Sequence, residues 1–420
     1  MSRPPDIRID DWPAPRHAPQ TLAIFAEAEK IAPQLQLDAD VLMTHARRET
    51  GLDELGDAGL RERVAAHLRA CEAEGALSAL GRLSRYQETL KLLRSRLLIE
   101  GVLARHPQAL EQPIARPIVI TGFPRTGTTH LHNTLAADPE LRALPYWEAC
   151  EPVLADRERP AQGAPDPRLA RTEAALAFVN GALPHFRAMH EMTVDHAHEE
   201  IDLLALDFST MYLETPGPLR AWSSAYKRAD QTPHYRYLKR VLQALSFLRG
   251  GGKRWVLKSP QHLEQLPVLQ RVFPDATIVL THRDPLPIVA SMATMWTYTA
   301  RLAQERPDPI AYGAFTAERI GDLLAACVRD RAALDPARTL DVPFQLVRDD
   351  PDGAVERVYA KAAQPLSASS RAAIAAYTRA HPPGRHGRVL YDLADFGLDA
   401  RALRERFRPY TDRFAVPLEM

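Results

Sequence analysis

Cysteine is scarce in this chain: three in 420 residues, Cys71, Cys150 and Cys327, far apart in sequence. That spacing excludes a disulfide framework and a zinc-ligand pattern, and predicts a reducing, cytoplasmic setting. Long apolar runs are missing as well. None approaches the roughly 18 residues of a membrane-spanning helix, and the first residues, Met1 to Arg8, lack the apolar centre of a secretory leader. Excess charge of either sign is also absent, with 53 Lys and Arg against 53 Asp and Glu. This balance argues against nucleic acid or an anionic membrane as partner. An anionic ligand must then be met by local groups. What the chain does have is 45% hydrophobic and 25% charged residues, enough for a sizeable core, and 35 prolines, which predict short, sharply ended segments.

Residues 1–20 are polar and rich in proline, which predicts a loosely held arm. From about 21 to 106 the pattern is helical. Tyr86, Leu90, Leu93, Leu97 and Val102 recur near helical spacing with charged residues between them, and Arg105-His106-Pro107 ends that helix. We expect residues 1–112 to form an arm and helical extension, and 113–420 an α/β domain. In the second part, short apolar strands at 117–121, 254–257 and 276–280 alternate with helices, the pattern of a parallel sheet with crossovers. Residues 155–168 read as an exposed loop, and helices are expected near 169–182 and 199–210.

The strand Ile118-Val119-Ile120 runs into Gly122-Phe123-Pro124-Arg125-Thr126-Gly127-Thr128-Thr129. The spacing is almost that of the phosphate-binding G-x-x-x-x-G-K-[ST] loop, but Thr128 stands where the lysine belongs. The cation has moved back to Arg125. Such a loop still presents backbone N–H groups and a helix N-terminus to an anion, while lacking the lysine that reaches a triphosphate. A second group is Thr281-His282-Arg283-Asp284-Pro285 with Ser291. Arg283 ends a strand, where open α/β sheets bind ligands, and an arginine and a hydroxyl together suit a phosphate. The plain alternative is an Arg283 ion pair and a packing serine. Lys258 follows the strand Trp255-Val256-Leu257 and points to the same crevice, unless it is a surface loop lysine. Ser259-Pro260 suits a helix start.

Taken together, Gly-Phe-Pro-Arg-Thr-Gly-Thr-Thr resembles the 5′-phosphosulfate loop of sulfotransferases, and His282-Arg283-Asp284-Pro285 with Ser291 resembles their 3′-phosphate motif. Leu257-Lys258-Ser259-Pro260 is similar to a segment some of these enzymes place near the transferred group. The tail Gly384-Arg385-His386-Gly387 is similar to a bacterial branch. The resemblance covers roughly 25–400. It implies a P-loop-type α/β fold with a central parallel sheet flanked by helices, plus an N-terminal helical extension. It also implies 3′-phosphoadenosine 5′-phosphosulfate (PAPS) as donor, adenosine 3′,5′-bisphosphate as product, and an acceptor hydroxyl or amine on a small molecule or glycan, with no metal.

By motif, Arg125, Thr126, Gly127, Thr128 and Thr129 hold the phosphosulfate end. Arg283 and Ser291 hold the 3′-phosphate, helped by Arg385 and Gly387. Arginine does not give up its proton, so Arg125 is expected to clamp charge electrostatically and Lys258 to serve the leaving oxygen. A general base is also required. Glu148 is the first candidate, from the glutamate that related branches place after this loop. His198, in Asp195-His196-Ala197-His198-Glu199-Glu200, is the second, and His262 the third. Phe186, Met189, Met192, Tyr212, Trp222 and Tyr226 either line an acceptor pocket or fill the core. Two rivals are a P-loop kinase, which predicts a loop lysine and magnesium-binding carboxylates that are not found, and a non-catalytic nucleotide-binding protein of the same fold.

Overall fold

The computed structural model describes residues 4–214, 217–382 and 385–419; Gly384 of the expected tail motif lies outside them. Four helices come first: α1 (Pro19–Ile31), α2 (Ala39–Thr50), α3 (Leu60–Glu74) and α4 (Ala79–Arg105). Ser78 caps α4 by accepting from the Gly81 N–H at 3.1 Å, and the helix stops at His106, before Pro107. Leu93, Leu97 and Ile99 of α4 are fully buried and share one core cluster with Phe123, Leu257 and Leu280 of the sheet region.

The sheet has five parallel strands: β1 (Ile118–Gly122), β2 (Leu141–Arg142), β3 (Arg254–Lys258), β4 (Thr277–His282) and β5 (Thr339–Pro343). Their order is β2-β3-β1-β4-β5. β1 and β4 are buried along their whole length, because helices cover both faces of a parallel sheet and only continuous β-branched and apolar runs suit that setting. Burying each of Ile118, Val119 and Ile120 contributes about 1.5–3 kcal/mol. From β1 the chain crosses to β2 and returns through β3 on one side, then passes to β4 and β5 on the other. A crevice therefore opens at the C-terminal end of β1, where the connections diverge.

Helices around this crevice are α5 (Thr128–Ala136), α6 (Tyr146–Cys150), α7 (Thr232–Leu248), α8 (Pro285–Thr299) and α9 (Ala400–Arg413). A short antiparallel ribbon pairs Leu144–Pro145 with Ala197–His198. The helix expected at 199–210 is only Ile201–Ala205. Phe208 takes a left-handed φ of 48°, and Asp207 is drawn into ion pairs with Arg63, Arg96 and His234, so tertiary contacts override the local pattern. The N-terminal arm is anchored rather than loose. Ile7–Arg8 pairs in parallel with Val389–Leu390, and Asp11 accepts from the buried Arg301 at 2.6 and 3.0 Å.

Candidate active site

The loop between β1 and α5 is shaped by two unusual backbone positions. Arg125 has φ 71° and Gly127 φ 83°. A Cβ on Gly127 would meet Val347 Cγ1 at 2.9 Å, so only glycine fits there without displacement. Gly127 caps α5 with no side chain over the helix end, which leaves the first N–H groups of the helix facing the crevice. Thr126 is turned inward. Its hydroxyl bonds the Phe123 carbonyl and the Thr281 hydroxyl, both at 2.6 Å, so it braces the loop. Thr128 is buried and Thr129 half-buried.

Lys258, at the end of β3, reaches across to this helix start. Its ammonium donates to the Thr129 hydroxyl at 3.2 Å and forms an ion pair with Glu199. The backbone N–H of Lys258 donates to Glu200 at 2.8 Å, and Glu200 also accepts from His262 Nε2 at 2.6 Å. Burial works to raise the pKa of Glu200, but the His262 hydrogen bond and charge bring it below the ordinary carboxylate value. Glu200 and His262 are both fully buried. They tie down the end of β3, and both ring nitrogens of His262 are engaged, Nε2 by Glu200 and Nδ1 by the Tyr235 hydroxyl at 2.7 Å.

Glu148 is not brought to Lys258. It is buried in α6, where it accepts from Arg249 at 2.9 Å and lies 3.9 Å from Arg142. Apolar surroundings and two counter-ions explain why a carboxylate near the expected register sits elsewhere. His198 does lie at the crevice, but both ring nitrogens are engaged: Nδ1 with His196 at 3.0 Å and Nε2 with Asp202 at 2.9 Å. The carboxylate beside Lys258 is Glu199, which the sequence reading passed over. Its only local signal is its place in an acid- and histidine-rich segment; the lysine it meets lies 59 positions away.

Arg125 is open to solvent, yet crowding by protein and repulsion from Arg283 lower its pKa. Its guanidinium donates to the Met189 carbonyl at 2.6 Å. Arg283 donates to the Arg125 carbonyl at 2.7 Å, stacks 4.1 Å over Phe344, and grips both carboxylate oxygens of Glu419 at 2.8 Å. Asp284 does not hold Arg283. It caps α8 at the Leu286 N–H and pairs with Arg404 at 2.5 and 2.8 Å. Ser291 is half-buried, two turns into α8, without a hydrogen bond among the described residues. Arg385 pairs with Glu191 and donates to the Ala380 carbonyl at 2.8 Å. Gly387, φ 90°, sits beside the Pro5 carbonyl of the arm. The short stretch from Met189 to Glu191 thus touches both Arg125 and Arg385. Between them His190 is held neutral: burial first, then Lys258 and its other cationic neighbours, depress its pKa well below the ordinary value.

The start of α5 thus stands beside the Lys258–Glu199 pair. A model of the Sulfotransferase family matches residues 117–367. The chain belongs to the sulfotransferase family. Among solved structures, this sulfotransferase is similar to STF1 from Mycobacterium tuberculosis, at 30% identity over 89% of this chain and 99% of that one, with a TM-score of 0.76. STF9 from Mycobacterium avium is 26% identical, over 91% and 98% of the two chains, with a TM-score of 0.81. Both are sulfotransferases, so the expected P-loop-like fold is the observed one. A curated relative, the omega-hydroxy-beta-dihydromenaquinone-9 sulfotransferase of Mycobacterium tuberculosis, is 24% identical over 266 residues. That match spans 58% of this chain and 61% of the relative's own length. No described helix is long and apolar enough to cross a membrane.

Proposed function

We propose that this sulfotransferase takes its sulfuryl group from PAPS and passes it to an acceptor hydroxyl of a small molecule or glycan, with Glu199 as the general base. The observation that carries this reading is the contact of one lysine, Lys258, with both Thr129 of the phosphate cradle and Glu199. The fit of the donor rests on the cradle itself: a glycine position closed to a Cβ, bare N–H groups at the start of α5, and a carboxylate already seated on Arg283 where a phosphate would go. A hydroxyl is preferred to an amine because the curated relative, by its name, acts on a hydroxylated compound.

In this mechanism Arg125 and the N–H groups of α5 bind the 5′-phosphosulfate end, and Arg283 binds the 3′-phosphate in place of Glu419. Arg385 and Ser291 flank that phosphate. Lys258 turns from Glu199 toward the oxygen between phosphorus and sulfur, which leaves Glu199 free to accept a proton. The acceptor oxygen forms the new S–O bond, its proton passes to Glu199, and the old S–O bond breaks with its electron pair kept by the phosphate. Adenosine 3′,5′-bisphosphate leaves. Stabilising charge on that leaving oxygen is the main task, as in phosphoryl transfer. We further propose that residues 1–112 act as a wall of the acceptor cleft against the 113–420 domain. α4 supports this, since its Glu88 accepts from the Tyr212 hydroxyl at 3.2 Å.

Glu199→Gln tests the reading. It is expected to lower turnover by about 10²–10⁴-fold, while calorimetry shows adenosine 3′,5′-bisphosphate bound as before. Turnover within about threefold of the parent would remove Glu199 from the base role.

A further inference from the structure

A second polar recess lies away from the donor cradle, at the other end of α5. It encloses about 380 Å³ and is lined by Arg142, Arg249, Lys253 and Asp195, with apolar walls that include Ala143 and Pro145. That volume suits a small ligand. Arg142 pairs in register with Trp255, three residues before Lys258, so the recess sits roughly 10 Å back along β3 from the cradle. The ribbon separates the two. Ala197 faces the recess, while its neighbour His198 bonds Asp202 at the crevice, as the alternation of a strand requires.

The cations here are under-compensated. Arg142 has a side chain only 10% exposed, yet it makes a single hydrogen bond among the described residues, from Nη2 to the Leu245 carbonyl at 3.0 Å. Its guanidinium lies 4.2 Å over the Trp255 ring and 3.9 Å from Glu148. Among the described residues its remaining N–H groups have no hydrogen-bond acceptor. Burial, with repulsion from Arg249, brings its pKa down to about 10, as expected for a buried cation short of negative charge. Arg249 shares Glu148 and stacks 4.7 Å over Trp147. Glu148 in turn keeps one buried oxygen without a hydrogen bond, so it does not satisfy both arginines. Lys253 is exposed at the mouth, and Asp195 on the rim is engaged by the Thr193 hydroxyl at 3.1 Å.

We propose that this recess binds the sulfate or phosphate group of a small organic ester, with Arg142 as the fork and Arg249 and Lys253 beside it. A guanidinium with free N–H groups matches two oxygens of such a group, and the apolar walls favour an ester with a short hydrocarbon body over the free ion. Trp147 and Trp255, each under an arginine, make the site visible by fluorescence.

The test uses the full chain with its donor cradle saturated by adenosine 3′,5′-bisphosphate, and that saturation is verified separately by calorimetry. Inorganic sulfate, inorganic phosphate, butyl sulfate and butyl phosphate are titrated at constant ionic strength. The expected result is a saturable change in tryptophan emission, tighter for the butyl esters than for the free ions. Arg142→Lys keeps the charge but loses the fork and should weaken binding by about tenfold; Lys253→Gln should weaken it less. If Arg142→Lys does not fold, Arg249→Lys replaces it. No saturable response, or affinities that change only in Lys253→Gln or in neither variant, would overturn the proposal. Free ions binding as tightly as the esters would overturn the ester class. Failure of the bisphosphate to bind would count against the donor reading alone, because the arginine dependence is read independently of it.

Discussion

Glu199 and Glu200 are adjacent, yet their carboxylates face different surroundings. Glu200 is closed in between Lys258 and His262, whereas Glu199 is partly open beside the same lysine. A one-residue change of direction separates a sealed carboxylate from a partly open one. Glu148 has a third fate, locked to Arg249 and Arg142. Glu148→Gln is therefore expected to cost about 1–3 kcal/mol of stability in urea melts, with turnover per folded molecule close to the parent. A loss of turnover as deep as that of Glu199→Gln would restore Glu148 as the base. The turn from β1 into α5 and the place of Lys258 at the end of β3 were legible in the sequence because their signal is local: a glycine pair at a strand end, and a lysine after an apolar strand. Glu199 was not legible, because its meaning depends on a lysine brought over by β3.

Among the elements, the strands were read correctly where burial on both faces leaves only apolar side chains, as in β1 and β4. Helix starts were legible where proline and a capping residue coincide; Pro267 sits in the first turn of Leu266–Val272 and delays that helix. Long-range pairing was not legible. Nothing near Asp207 announces Arg63, Arg96 and His234, and their pull ends a helix early. The loop before α5 depends on a left-handed Gly127, so Gly127→Ala is expected to lose about 1–2 kcal/mol in thermal melts and to weaken adenosine 3′,5′-bisphosphate binding. Unchanged binding and melting would show that the loop does not need that backbone shape. The segment after α9 supplies an internal anion, Glu419, to Arg283. Glu419→Gln removes that competitor and should tighten bisphosphate binding several-fold, about 1 kcal/mol by calorimetry. Weaker binding would mean that Glu419 supports the site and does not compete for it.

For the molecule as a whole, buried neutral histidines set an acid limit. Burial is the first cause holding His67 and His132 at about 3 and His196 at about 4, and His190 is also well below its ordinary value. The unfolded chain takes up protons near pH 6.5 that the folded one refuses. Stability is therefore complete above about pH 6.5 and falls as pH is lowered toward 4, by up to about 1.4 kcal/mol per pH unit for each such histidine. Urea midpoints at pH 7.5 and 5.0 should differ clearly, the lower pH being weaker; equal midpoints would mean these rings are not buried neutral. At this scale the sequence pointed to one α/β body with a helical extension, but not to the way its two ends meet.

That meeting has a temporal consequence. Arg388 donates to Asp6 at 3.1 Å, across 382 positions, beside the pairing of Ile7–Arg8 with Val389–Leu390. During synthesis the early strand has no partner until the 382 positions up to Arg388 have followed it, a wait of roughly 20–80 s at ordinary translation rates. The turn carrying Arg385 and Gly387 is made long after the segment on which it closes. A ribosome stalled before Val389 would thus display the loop 122–129 without this pairing in place.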